Sequence, residues 1–102
     1  MPIEKLLEIE KLLFSATMEK FGVARHDLKI ISACKESKES LYTLEKSHNL
    51  DRALTIRRLK ILEAKGFIKR NKVGKAKIIE LTDKSKEVIR FIESINILGM
   101  IG

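Results

Sequence analysis

Along residues 3–21 the apolar positions Ile3, Leu6, Leu7, Leu13, Phe14, Met18 and Phe21 recur at helical spacing, which predicts one long helix. Ile9, Leu12 and Ala16 widen this stripe beyond the ~100° arc with which a surface helix meets a single core. The helix is therefore expected to touch two surfaces, and Gly22 to end it. Residues 26–34 (HDLKIISAC) place Leu28, Ile30 and Ile31 inward on a second helix, and the polar run KESKES separates it from a short third helix at about residues 40–47. The turn HNLD, residues 48–51, offers Asn49 or Asp51 as a cap for a fourth helix running from Leu50 to Lys65, with Gly66 as its left-handed stop.

Beyond Gly66 the period changes. FIKRNKV (residues 67–73) and KAKIIEL (residues 75–81) alternate or are rich in β-branched residues on either side of Gly74, the pattern of a hairpin. Thr82 then reads as the N-cap of a last helix carrying Val88, Ile89, Phe91, Ile92 and Ile95 and reaching about Leu98. The expected fold is mainly α with a small β-hairpin, a single domain over residues 1–102. Three compact helices followed by a basic hairpin predict a winged helix-turn-helix, with the helix before the hairpin entering a DNA major groove and the hairpin as its wing.

Charge sharpens this picture. The formal net charge is +7, and residues 51–81 hold ten basic and three acidic side chains, so the excess sits in the fourth helix and the hairpin. Spread evenly it would serve solubility; concentrated on a third of the chain it is a footprint for a polyanion. In the fourth helix Leu59 and Leu62 face the core with Thr55 one turn earlier. That leaves Ala53, Arg57 and Lys60 on the opposite side, with Arg52 and Arg58 flanking them. Arginine there can meet guanine bidentately or clamp a phosphate. In the hairpin Lys69, Arg70, Lys72, Lys75 and Lys77 surround the glycine turn, more cations than an edge strand needs to discourage pairing with other molecules.

Other chemistry is sparse. Cys34 is the single cysteine, which excludes an intramolecular disulfide and a cysteine metal cluster, and it reads as a small core residue more readily than as an oxidant sensor. His26 and His48 stand apart with no ligand pattern near them, so no metal or cofactor is expected. The sequence holds no phosphate-binding glycine loop, HExxH, GxSxG or paired-carboxylate motif, and no enzyme activity is expected. No run approaches the roughly 18 apolar residues of a membrane span, and the N-terminus alternates charge with apolar residues unlike a signal-peptide core. The protein is expected in the cytoplasm, on the nucleoid when bound to DNA.

Residues 55–68 (TIRRLKILEAKGFI) resemble the recognition helix and first wing strand of winged-helix transcriptional regulators, whose pattern is Leu-x-x-Leu-Glu-x-x-Gly-(Leu/Phe)-(Ile/Val). Residues 81–87 (LTDKSKE) resemble the same family's entry into the next helix, with Ser85 where glycine is usual. The long helix before the motif and the helix after the wing make the likeness greatest to MarR-type regulators, over roughly residues 20–92. The wing tip NKVGK, residues 71–75, lacks the Asp-x-Arg usual in MarR wings, and the family usually has a longer C-terminal helical region. A PadR-type or other minimal archaeal-type winged helix therefore also fits.

The resemblance implies a sequence-specific regulator that binds double-stranded DNA as a homodimer. The wide terminal stripes point the same way, with residues 1–21 and 82–102 as dimerisation helices and Leu6, Leu7, Leu13, Phe14, Phe91, Ile95 and Leu98 at the interface. Two other readings remain open: a non-specific architectural DNA-binding protein, and a winged-helix protein-interaction module of a transcription complex. Operator, effector and the sense of regulation are not written in the sequence.

Overall fold

The computed structural model describes the backbone of residues 3–101 and the side-chain surroundings of residues 11–94. Five helices and one hairpin follow in order: α1 Ile3–Phe21, α2 Arg25–Glu36, α3 Leu41–Ser47, α4 Arg52–Ala64, β1 Ile68–Val73, β2 Ala76–Leu81 and α5 Asp83–Ile101. The architecture is the expected one, mainly helical with a two-stranded antiparallel wing.

Local chemistry accounts for the boundaries around the wing. The Asp51 carboxylate accepts the Leu54 N–H at 2.8 Å and starts α4. Gly66, at φ 82, stops it: the Phe67 N–H reaches the Leu62 carbonyl at 2.9 Å and the Gly66 N–H the Glu63 carbonyl at 3.1 Å. This leaves Phe67, Ile68 and the first wing strand leading straight out of the core. Gly74 at φ 63 and Lys75 form a two-residue turn that pairs Val73 with Ala76 and sets every pair below it, down to Ile68 with Leu81. A third strand partner, not expected from the sequence, comes from the polar break before α3: the Ile79 N–H donates to the Glu39 carbonyl at 2.8 Å. It ties the root of the wing to the helix-turn-helix.

Ile30 and Ile31 of α2, Leu44 of α3, Leu59 and Leu62 of α4, Phe67, Ile68, Ile79 and Val88 form one buried core. Each fully buried aliphatic or aromatic side chain there contributes about 1.5–3 kcal/mol relative to exposure. Ser85 is buried too, its hydroxyl donating to the Phe67 carbonyl, so the serine standing in place of the usual glycine locks α5 onto the start of the wing.

The wide apolar stripe of α1 divides between two sides: Met18 is 49% exposed, while Thr17 is fully buried and its hydroxyl is satisfied by the Leu13 and Phe14 carbonyls, both at 3.1 Å. The real inner face runs through Phe14, Thr17 and Phe21, and a hydroxyl that hydrogen-bonds back to its own helix can sit on it. Thr82 stands at the expected N-cap position of α5, its carbonyl accepting the Lys86 N–H at 3.2 Å, but its hydroxyl, expected to cap the helix, donates to the Gly66 and Phe67 carbonyls at 2.6 and 3.0 Å. The sequence could not show those carbonyls, which are brought beside Thr82 by the return of the wing.

α1 and α5 meet within the chain through an edge-to-face contact of Phe21 and Phe91, with ring centroids 5.5 Å apart and the Lys20 ammonium over both rings. Of the expected interface residues, Leu13, Phe14 and Phe91 are half-buried, and Phe14 packs on the core beneath the Arg25 guanidinium. Leu6, Leu7, Ile95 and Leu98 lie outside the described side chains.

Candidate nucleic-acid interface

Helical geometry and two buried contacts fix which side of α4 faces outward. Thr55, Leu59 and Leu62 face inward. The Thr55 hydroxyl is hydrogen-bonded to Nε2 of His26 at 2.9 Å, which joins α4 to the start of α2. Burial holds the His26 pKa below the ordinary histidine value of 6.5, with Asp27 and Asp51 opposing that shift and Lys29 and Arg58 adding to it. A second tie lies alongside. Asp27, fully buried, accepts from Nε of Arg58 at 2.7 Å and from its Nη2, and it also accepts the Ala24 N–H at 2.9 Å.

With these ties in place, Ala53, Arg57, Lys60 and Ala64 form a continuous exposed ridge along α4 at spacings of four, three and four residues. A small residue, two long cations and another small residue suit a helix that must approach a groove closely and reach base edges or phosphates. Arg57 and Lys60 have no ion pair or hydrogen bond among the described residues. Arg58 does not share this ridge. Expected to flank it, Arg58 is turned inward by Asp27, which also raises its pKa through that hydrogen bond. Arg52 lies at the other flank and donates to Glu45 of α3 at 2.9 Å, an exposed pair that leaves it within reach of a ligand.

The wing cations, taken together in the sequence, divide between its two faces. Cross-strand partners share a face, so Lys69 stands opposite Glu80 on one side, while Lys72 stands opposite Lys77 on the other, the side of Arg70 and Ile79. Two like charges directly opposed weaken the hairpin when it is free. Arg70 differs again: its side chain is only 22% exposed, and Glu63 of α4 lies 4.0 Å from its Nε, beyond hydrogen-bond range. Between α3, α4 and this face runs an open groove of about 560 Å³, lined by Tyr42, Arg52, Arg70, Lys75 and Lys77. Tyr42, 65% exposed, was missed because α3 is too short for periodicity to orient it.

Two titratable groups away from this surface, Cys34 and Glu39, are held within the fold. Burial pushes the Cys34 thiol up to about 12, aided by the Glu39 carboxylate, so thiolate is scarce at neutral pH. Glu39 would be raised by burial, but hydrogen bonds from Ser37 and His48 hold its carboxyl below the usual range. Among the described residues no three His, Cys, Asp or Glu side chains gather as a metal site requires. No helix among them is long and apolar enough to cross a membrane.

Five helices, with α4 turned outward beside a bridged wing, define a winged helix-turn-helix. The chain belongs to the DUF6293 C-terminal winged helix domain family, whose model matches residues 14–93. No curated protein sequence matches it. Among solved structures it is similar to the transcriptional regulator BldR from Sulfolobus solfataricus, with 21% identity, a TM-score of 0.72, and coverage of 89% of this chain and 69% of that one. A MarR transcriptional regulator from Methanosarcina mazei Go1 superposes with a TM-score of 0.75 at 17% identity, covering 95% of this chain and 73% of the other. A MarR family regulator from Listeria monocytogenes, complexed with a 26mer DNA, gives a TM-score of 0.69 at 19% identity over 97% and 71% of the two chains.

Proposed function

We propose that this protein is a transcriptional regulator that binds double-stranded DNA sequence-specifically as a homodimer. The observation that carries the reading is the ridge of Ala53, Arg57, Lys60 and Ala64, whose two cations are exposed and unpaired beside a wing carrying Lys72, Lys75 and Lys77. The ridge would read a half-site in the major groove while the wing grips the neighbouring backbone. Lys69 would take an outer phosphate contact and Arg52 one at the start of the helix. The similar Listeria regulator in complex with a 26mer DNA supports a duplex as the ligand.

Dimerisation through α1 and α5 is supported by Leu12, 69% exposed, and Met18, large apolar side chains on α1 that the fold leaves uncovered. With Leu6, Leu7, Leu13, Phe14, Phe91, Ile95 and Leu98 they would build an isologous interface that sets half-site spacing. Two linked half-sites bind far more tightly than one. The protein would act in the cytoplasm without a cofactor.

Selection of bound sequences from a random duplex pool at near-physiological salt, paired with sedimentation of the free protein, tests the reading. A recovered palindrome and a dimer are expected. Uniform recovery of all duplexes would replace it with an architectural DNA-coating role. Failure to retain duplex at all would favour a module that docks its basic face on an acidic protein surface.

A further inference from the structure

Four of the aromatic side chains are engaged within the chain and one is not. Phe21 and Phe91 meet edge to face beneath Lys20, Phe14 lies beneath Arg25, and Phe67 beneath Lys84. Tyr42, the single tyrosine, is 65% exposed and has no ring contact, cation or hydrogen bond among the described residues. Its direction follows from α3. Leu44 is fully buried and Leu41, one turn earlier, packs on the core, which turns Tyr42 outward. An exposed ring alone is ordinary, but this one borders the groove of about 560 Å³ between α3, α4 and the wing. To the same groove α4 contributes Arg52, the wing Lys75 and Lys77, and Leu41 and Ala76 an apolar lining. Lys75 and Lys77 are exposed with no partner among the described residues, and Arg52 is held only by its exposed pair with Glu45, which costs little to release.

We propose that this groove binds a segment of single-stranded nucleic acid, with one unpaired base stacked on the Tyr42 ring and the strand's phosphates on Arg52, Lys75 and Lys77. A flat apolar face set among cations is the combination a strand needs: a base of any identity can stack on the ring, while the cations follow the backbone. A duplex has no such use for the ring, because its base faces are stacked on one another and only base edges and phosphates are presented. The site therefore takes a ligand beyond the duplex reading. Because Lys75 and Lys77 serve both, strand and duplex compete. A free nucleotide would gain one stack and one phosphate contact, whereas successive phosphates of a strand find separate cations on α4 and on the wing.

The chain has no tryptophan and no second tyrosine, so the Tyr42 ring-proton resonances report this site alone. A short adenine deoxynucleotide strand at near-physiological salt should move them upfield, as a stacked base does. The same strand with abasic residues should bind about 5- to 100-fold more weakly and move them little. By anisotropy of a labelled strand, Tyr42→Phe should keep the parent affinity and Tyr42→Ala should lose about 5- to 100-fold, while duplex affinity stays at the parent value in both. Thermal unfolding of Tyr42→Ala should match the parent, as at an exposed site; the abasic comparison uses the unmodified protein and holds whatever the variant does to the fold. Equal affinity for the normal and abasic strands, or Tyr42 resonances that stay put, would overturn the proposal. An equal shift from adenosine monophosphate at the same base concentration would overturn it in favour of a free nucleotide. Equal loss of strand and duplex affinity in Tyr42→Ala would overturn it by making the ring part of the duplex surface. A strand-induced shift in a protein that retains no duplex would leave the strand site standing and remove the duplex reading.

Discussion

Arg57 and Arg58 are neighbours in sequence with opposite fates. Arg58 is folded back onto buried Asp27 and is part of the scaffold, while Arg57 stands on an exposed ridge with no partner among the described residues of its own chain. A similar contrast recurs elsewhere. Several scaffold cations are engaged: Lys35 with Glu93 at 2.7 Å, Lys84 with the Lys65 carbonyl at 2.8 Å and over the Phe67 ring, Lys20 over two aromatic rings. Arg57 and Lys60 of the ridge and Lys72 and Lys77 of the inner wing face have no such partner among the described residues. A positive charge that the fold has already neutralised can stabilise the protein, and one that the fold leaves bare is available to a ligand.

The largest effect that tests this division is expected at Asp27. Asp27→Ala strips Arg58 of its counter-charge and the Ala24 N–H of its acceptor, and breaking such a buried pair should cost about 3–5 kcal/mol in urea unfolding. Adding Arg58→Met should recover much of that loss, since an apolar replacement of both partners is often close to neutral. An Asp27→Ala protein as stable as the parent would remove Arg58 from the scaffold and return it to the binding surface.

Next in size is Arg57→Ala, which should leave unfolding within about 0.5 kcal/mol of the parent, as an exposed site does, while costing about 1–3 kcal/mol in binding to the selected duplex. Base preference should relax with it. Unchanged affinity and preference would mean that the ridge does not read DNA.

How much of this contrast was legible beforehand differs from residue to residue. The order of elements, the stop at Gly66 and the inward set Thr55, Leu59 and Leu62 follow from spacing alone, because helix period and glycine stereochemistry are local. Arg58 was misplaced because its angular position on the helix is a flank, and only the packing of α2 decides whether a flank is solvent or a buried carboxylate. The division of the wing cations was available in principle. A two-residue turn at Gly74 and Lys75 forces Lys72 opposite Lys77 and Lys69 opposite Glu80, but reading the cations as one cluster passed over the register. The bridge from Glu39 to Ile79 and the interior role of Thr82 had no signal at all, being made between segments far apart in the chain.

The wing allows a finer test. Lys72→Ala with Lys77→Ala should lower the salt slope of duplex binding by about 0.9 for each phosphate that the wing no longer neutralises. It should also raise stability by about 0.2–1 kcal/mol through removal of an opposed like-charge pair. Lys69→Ala should do the reverse in stability, losing a few tenths of a kcal/mol because Lys69 faces Glu80. Equal behaviour of the two sets in both measurements would abolish the distinction between the wing faces.

The smallest effect belongs to His26, on the scaffold side of the contrast, and its sign follows from burial. His26 is held below its ordinary pKa of 6.5, chiefly by desolvation, so the unfolded chain takes up the proton first as pH falls. Stability should be fully present above pH 6.5, decline below that value, and level off once pH has passed the lowered pKa of the folded protein. Carboxylates contribute their own loss at lower pH, so the contribution is read as the difference between the parent and His26→Gln, which can still hydrogen-bond Thr55 and cannot titrate. The stability difference between the two proteins should change across that window and be flat above it. Because the His26 ring anchors Thr55 and with it α4, duplex binding measured on the folded fraction should weaken only as pH falls through the lowered pKa of the folded protein, at the bottom of that window, in the parent and not in His26→Gln. A parent whose stability and binding track those of the variant throughout would show that the imidazole is a spectator, leaving the orientation of α4 to Asp27 and Arg58 alone.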